Sequence, residues 1–326
     1  MSDKPLPQAA VLGSGTMGAQ IALSLALGGA SVRLWGRRPE ALPEAVARIA
    51  AAFDFLAAEG LVSRKARAEV LARIETTSNM GGAVKDAGFV IEAAAEVLEV
   101  KQELLRRAEA LAPPAAITSS TTSALGAGDI QSALTRPAQF CIAHYAQPAH
   151  LVPLVEVVPG KDTDAEVTQA VTDLLTATGK DPVLCPDIPG FLWARIQHAV
   201  LREFASLVGQ GLVTPEACDT ILRKGYAARL PAMGAFEHAD LAGLDLMNGD
   251  AAKAVWADLS TVTDPGETPV GALFAKGHTG MRSGQGFYDW KDRNPDQFKA
   301  DRDAEIVRRV KIMAGGKVVI TGKESA

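Results

Sequence analysis

The chain has 326 residues, 48% hydrophobic and 22% charged. That is enough for one large or two ordinary domains with sizeable cores, and it excludes the disordered, collagen-like and disulfide-rich classes. Its 33 Lys and Arg against 38 Asp and Glu leave a formal charge of −5, which supplies no general attraction to nucleic acid or an anionic membrane surface.

The N-terminus lacks the order of a signal peptide, and no run of about 18 apolar residues occurs; a cytoplasmic protein with no membrane or nucleic-acid partner is expected. An apolar run at 9–12 leads into Gly13-Ser14-Gly15-Thr16-Met17-Gly18. Residues 19–27 follow the apolar period of a helix, and a second apolar run lies at 31–35. Strand, glycine turn, helix, strand is a βαβ unit, whose crossover is right-handed and whose strands are parallel. Further strand-like runs at 89–92, 116–119, 140–144, 154–158 and 183–185, mostly separated by long helical stretches, predict a doubly wound parallel sheet over residues 1–187. After Asp187-Ile188-Pro189-Gly190 the texture changes. Leu192, Ile196, Val200 and Phe204 recur every four residues along a long helix, and Thr214-Pro215 supplies a cap and a first-turn proline for another. Residues 188–326 are therefore expected to form an all-helical domain ending in a polar helix at 301–313 and a frayed tail. The three cysteines, Cys141, Cys185 and Cys218, form no CxxC pair, suit a reducing compartment and read as small buried apolar residues.

Gly13, Gly15 and Gly18 fit GxGxxG between a strand and a helix. The first permits the tight turn, the second lets backbone approach a pyrophosphate, and the third lets the helix pack closely, while Thr16 and Met17 of the turn are further cofactor-binding candidates before the helix whose N-terminus faces the anion. Dinucleotide binding is expected. At the end of the second strand, where an acidic residue would accept the adenosine ribose hydroxyls, stand Gly36, Arg37 and Arg38. Two guanidiniums beside a glycine offer room and charge to a 2′-phosphate, which favours NADP over NAD; the alternative is a solvated basic turn.

One set of motifs resembles the 3-hydroxyacyl-CoA dehydrogenase family. It comprises Val90-Ile91-Glu92-Ala93 with Glu96 and Lys101, Ser119-Ser120-Thr121-Thr122-Ser123-Ala124-Leu125, and His144-Tyr145-Ala146-Gln147-Pro148 continuing to Leu154-Val155-Glu156-Val157-Val158. Pro189-Gly190-Phe191, Glu237 with 240–245 and Gly284-Gln285-Gly286-Phe287-Tyr288 match its C-terminal domain, so the resemblance runs to about residue 290. It implies a Rossmann domain followed by a helical substrate and dimerisation domain. It also implies reversible hydride transfer between a nicotinamide cofactor and the secondary alcohol of a 3-hydroxyacyl-CoA or related 3-hydroxy acid. His144 suits the general base and Glu156 its orienting acid. The resemblance further makes Ser123 a hydrogen-bond donor to the reacting oxygen, sets Glu96 and Lys101 beside the nicotinamide ribose, and implies a homodimer through the helical domain.

The chain departs from that pattern in places. Thr121 stands where the family's run carries Asn, and Ala194 where it usually carries an Asn thought to help hold the substrate carbonyl. The helical arm reads Ala57-Ala58-Glu59-Gly60 where many coenzyme A users carry a Lys, and Glu59 would repel the phosphates. Arg229-Leu230-Pro231-Ala232-Met233-Gly234 is similar to the gulonate and carnitine dehydrogenase branch, in which Arg229 would clamp a carboxylate. A free hydroxy acid is thus the alternative substrate, and a catalytically weak nucleotide-binding homologue of the lens-crystallin kind a second alternative. His150, His198, His238 and His278 lack a metal-ligand spacing, and no metal is expected.

Overall fold

Eight strands make one sheet: β1 (Ala9–Leu12), β2 (Val32–Trp35), β3 (Ile74–Thr77), β4 (Phe89–Glu92), β5 (Ile117–Ser120), β6 (Phe140–Tyr145), β7 (Leu154–Pro159) and β8 (Asp181–Leu184). Their order in this computed structural model, which describes residues 6–313, is β3-β2-β1-β4-β5-β6-β7-β8. Strands β1 to β6 are parallel, so the chain reverses its winding between β1 and β4, where α/β sheets open a crevice for ligands. The wholly parallel sheet expected from sequence is corrected at one edge. Strand β7 runs antiparallel to β6, and β8 is parallel to β7. Residues 146–153 are too few for a parallel crossover, so the chain turns back on itself. Strand β3 is an addition: Ile-Glu-Thr-Thr is an incompletely buried edge strand and lacks the apolar run that marks the others.

Alternation along β1 feeds two cores. Ala9 and Val11 pack with the helix Thr16–Leu27, while Ala10 and Leu12 pack with Trp35, Met80 and Val90 on the opposite face. Helix Thr16–Leu27 lies very close to the sheet because Gly18 has no side chain; a Cβ there would sit 1.7 Å from the Gly13 carbonyl oxygen.

The chain divides into two compact units, Ile196–Glu305 and the remainder. The sequence placed the change at 187 and gave everything beyond it to the helical part. Residues 188–195 instead group with the sheet, and so does the last helix, Pro295–Met313, from Ile306 onward. The reason is packing: Val307 and Val310 belong to the main core, and Lys311 reaches Glu59 at 3.4 Å. The expected frayed tail falls on residues 314–326, outside those described.

Within the helical unit, Thr214 accepts from the Ala217 amide and Pro215 opens the helix Pro215–Ile221, as the sequence pattern indicates. A π-helical turn, Leu222–Tyr226, follows. Tyr288 donates to Asp219 at 2.7 Å, which ties the 284–288 motif to that helix. Large apolar side chains stand in solvent here, among them Phe236 at 90%, Trp256 at 78% and Phe274 at 72% exposure. Among the described residues no helix is long and apolar enough to cross a membrane.

Candidate active site

The glycine turn leaves the C-terminal end of β1. Gly13 adopts φ +133°, and a Cβ on it would meet the Ala93 carbonyl at 2.5 Å, so no other residue fits. Gly15 differs: nothing lies within 4 Å of where its Cβ would be, which leaves an open cradle beside a helix start that has neither a side-chain cap nor an acidic residue in its first turn. Bare amides at a helix N-terminus beside open space fit a dinucleotide's pyrophosphate, with Thr16 and Met17 opening the helix. At the end of β2, a Cβ on Gly36 would meet the Ser14 hydroxyl at 2.6 Å and Leu42 at 2.7 Å. This revises the room that the sequence reading assigned to Gly36, because the glycine is there for close packing against the turn. Arg37 and Arg38 are exposed beside it. Sequence reasoning passed over Arg48, whose guanidinium donates to the Ser14 carbonyl at 2.7 Å and braces the turn from the helix Leu42–Ala58.

At the ends of β4 and β5 lies a charged network. Lys101, 1% exposed, bridges Glu92 at 3.0 Å and Glu96 at 3.1 Å. Glu92, wholly buried, also accepts from the Ser120 hydroxyl at 2.6 Å and from the Ala94 amide. Glu96 accepts from the Thr122 hydroxyl at 2.5 Å and the Ser123 amide at 3.0 Å. Burial pushes the Glu96 carboxyl up, but the Thr122 hydroxyl, the Lys101 charge and the Ser123 amide outweigh it and hold the group below its ordinary value. The structure thus joins two residues chosen from sequence, Glu96 and Lys101, and adds Glu92, which the apolar run of β4 had marked only as a strand end.

The third cluster lies on β6 and β7. Their antiparallel register sets His144 directly opposite Glu156, and Nδ1 of the imidazole lies 2.8 Å from Oε2. The other oxygen, Oε1, accepts from the Leu192 and Trp193 amides, both at 2.8 Å, and faces the Cys185 thiol at 3.5 Å. Burial raises the Glu156 carboxyl; the bonds from His144, Trp193 and Leu192 more than offset this, and the net shift is downward. Burial, reinforced by the Glu156 charge, pushes the Cys185 thiol up to about 12, so it remains S–H. An ionised carboxylate only accepts, so Nδ1 carries a proton, and in the neutral imidazole Nε2 is the nitrogen left with a lone pair.

Neighbouring residues hold this pair in place. Thr121 accepts from the Tyr145 amide at 3.1 Å, joining the loop after β5 to the end of β6. Lys180, missed from sequence, donates to the Ala149 and Val152 carbonyls at 2.5 and 3.0 Å, pinning the turn that follows β6; burial pushes its ammonium down to about 8. Gln20 on the helix after the glycine turn accepts from the Ala149 amide at 2.9 Å. Ser123 is exposed in the loop after β5. Arg229 lies in the helical unit with Nη1 3.2 Å from Nε2 of His238. Glu59 is engaged by Lys311, so its charge already serves the packing of the last helix.

A doubly wound sheet with a glycine cradle at the end of β1 and a His–Glu pair at the end of β6 fits the class of dinucleotide-dependent dehydrogenases. The comparisons agree. Residues 8–188 match the family model of the 3-hydroxyacyl-CoA dehydrogenase NAD-binding domain, and residues 190–290 match the C-terminal domain of that family. The chain belongs to the 3-hydroxyacyl-CoA dehydrogenase family and is an oxidoreductase of that type. It is 29% identical over 307 residues, 94% of this chain and 98% of the other, to a 5-formyl-3-hydroxy-2-methylpyridine 4-carboxylate 5-dehydrogenase of Mesorhizobium japonicum. It is 33% identical over 285 residues to 3-hydroxyadipyl-CoA dehydrogenase of Escherichia coli, covering 86% of this chain and 58% of that protein. A crystal structure of 5-formyl-3-hydroxy-2-methylpyridine 4-carboxylic acid 5-dehydrogenase, an NAD+-dependent dismutase, superimposes with a TM-score of 0.88 at 28% identity, covering 96% of this chain and all of that one.

Proposed function

We propose that His144 and Glu156 carry out the acid–base half of reversible alcohol oxidation on a hydroxy acid. The observation that carries this is the 2.8 Å contact between Nδ1 and Glu156 Oε2, which commits one ring nitrogen and frees the other. Nε2 takes the hydroxyl proton, and Glu156 stabilises the imidazolium that forms. The Ser123 hydroxyl donates to the reacting oxygen. Gly13, Gly15, Thr16, Met17 and Gly18 hold the dinucleotide, with Glu96 and Lys101 at its nicotinamide ribose. When bound, the nicotinamide supplies the hydride acceptor.

For the substrate's handle we infer a free carboxylate. One relative that matches along nearly its whole length is named for a pyridine carboxylate, and Ala194 lacks the amide that the family resemblance assigns to holding the substrate carbonyl. Arg229 is the candidate carboxylate partner. A CoA thioester is the second reading, favoured by the 3-hydroxyadipyl-CoA relative. With Gly36 explained by packing against Ser14, a preference for NADP stands on Arg37 and Arg38. The helical unit's exposed Phe236, Trp256 and Phe274 support a homodimer through that unit.

Initial rates with NAD and NADP against matched 3-hydroxyacyl-CoA thioesters and free 3-hydroxy acids test all of this. Turnover confined to free acids is expected; turnover confined to thioesters discards the Arg229 role, and none on either class supports the catalytically weak homologue. Arg37→Ala with Arg38→Ala is expected to lower kcat/KM for NADP about tenfold and leave NAD nearly unchanged, as for loss of a bidentate phosphate contact.

A further inference from the structure

Phe191 is the one non-glycine residue with positive φ among the described residues, at +46°, directly after Gly190 at +76°. A side-chain-bearing residue takes the left-handed conformation at a steric cost and keeps it only where the surroundings insist. Here they do. The Phe191 ring is fully buried in the core that includes Ile142, Val158 and Cys185, and its centroid lies 5.8 Å from that of His144, tilted by 58°. The next two amides, Leu192 and Trp193, are the pair that donate to Glu156 Oε1. Chain direction at this point is fixed by the Phe191 amide donating to the Ile188 carbonyl at 2.9 Å.

We propose that Phe191 is a positioning residue for the acid–base pair: its buried ring locks a left-handed backbone that aims two consecutive amides at Glu156, and the ring closes one side of His144. The inference rests on the reading of His144 and Glu156 as the acid–base pair. The groups facing Glu156 are His144 from β6, the Cys185 thiol from the segment after β8, and the two amides of the 192–193 turn. The nearby cation, Arg195, donates to the Pro189 carbonyl at 3.4 Å. With the amides in place the carboxylate stays ionised although buried. Moving them away makes it more basic, and a more basic carboxylate also favours the protonated imidazole, so both effects move the acid limb of the rate profile the same way.

The test separates backbone aim from simple packing. Phe191→Gly and Phe191→Ala both remove the ring, but glycine keeps φ +46° freely whereas alanine, without the ring to hold it, relaxes away. The acid limb of kcat/KM against pH is expected to shift upward by about one unit in Phe191→Ala, the size of one charge-assisted hydrogen bond, and to stay at the wild-type position in Phe191→Gly despite its lower thermal stability. Coincident profiles for the two variants overturn the proposal and leave Phe191 a packing residue. Should either fail to fold, Phe191→Leu and Phe191→Val repeat the comparison with the core filled: the β-branched valine resists the left-handed region and is expected to shift the limb, leucine to leave it, and equal behaviour again overturns the proposal. An inactive His144→Ala with a normal Phe191→Ala profile contradicts the positioning role alone, whereas an active His144→Ala contradicts the acid–base reading beneath it.

Discussion

Glu92 and Glu156 lie on strands of one sheet, 0% and 2% exposed, and both of their oxygens receive hydrogen bonds. Their partners differ. Glu92 meets Lys101, and its remaining donors are a serine hydroxyl and a backbone amide. Glu156 meets the His144 imidazole, and its other oxygen is held by backbone amides so that only the imidazole side is negotiable. A buried carboxylate with matched donors is therefore a general device, and on the proposed reading the residue across from it decides whether it builds a wall or moves a proton.

The largest effect that sharpens this contrast is His144→Ala, expected to lower turnover about 100- to 10,000-fold, the loss typical of a general base, with folding intact. Steady-state rates at saturating substrate measure it; near wild-type turnover would erase the distinction between the two clusters. Glu92→Ala should act the other way round. It strands the Lys101 ammonium in the interior with Glu96 as its remaining partner, and a loss of about 3 kcal/mol or more is expected in urea unfolding. A loss under 1 kcal/mol would mean that the network is not structural.

Acid titration gives a smaller separation. Since the folded-state Glu156 carboxyl lies below its ordinary value of 4.5, it contributes stability above that pH and loses it as pH falls through the folded value. Glu156→Gln should consequently show a shallower loss of stability below pH 4.5 than wild type, and identical slopes would remove Glu156 from the acid response. Smallest is Lys311→Ala. Its pair with Glu59 is partly exposed, so a change of about 0–1 kcal/mol is expected in thermal unfolding, and more than 2 kcal/mol would give the last helix a larger role than its packing indicates.

Much of the sheet was legible in sequence because parallel strands buried on both faces read as apolar runs, and Ala9–Leu12 and Phe89–Glu92 are such runs. Strand β3 was not, because an edge strand with one covered face admits Glu and Thr. Nor was the return of residues 306–313 to the first unit, since two valines on an otherwise polar helix carry no signal of what they pack against. At the site, His144 and Glu156 were picked out by their chemistry together with the family resemblance, which alone supplied Glu96 and Lys101, and the structure brings each pair into contact. Glu92 and Lys180 were not, because a buried charge is recognised by its partners, and those come from elements distant in the chain. Phe191 was legible as part of a motif; its left-handed backbone was not.

The proton on the His144 ring tests the central claim most directly. Nitrogen-15 chemical shifts of the neutral imidazole, measured at alkaline pH, should place the proton on Nδ1, donated to Glu156, and leave Nε2 bare. A proton on Nε2 would contradict the account, because the nitrogen required to accept the alcohol's proton would already be occupied.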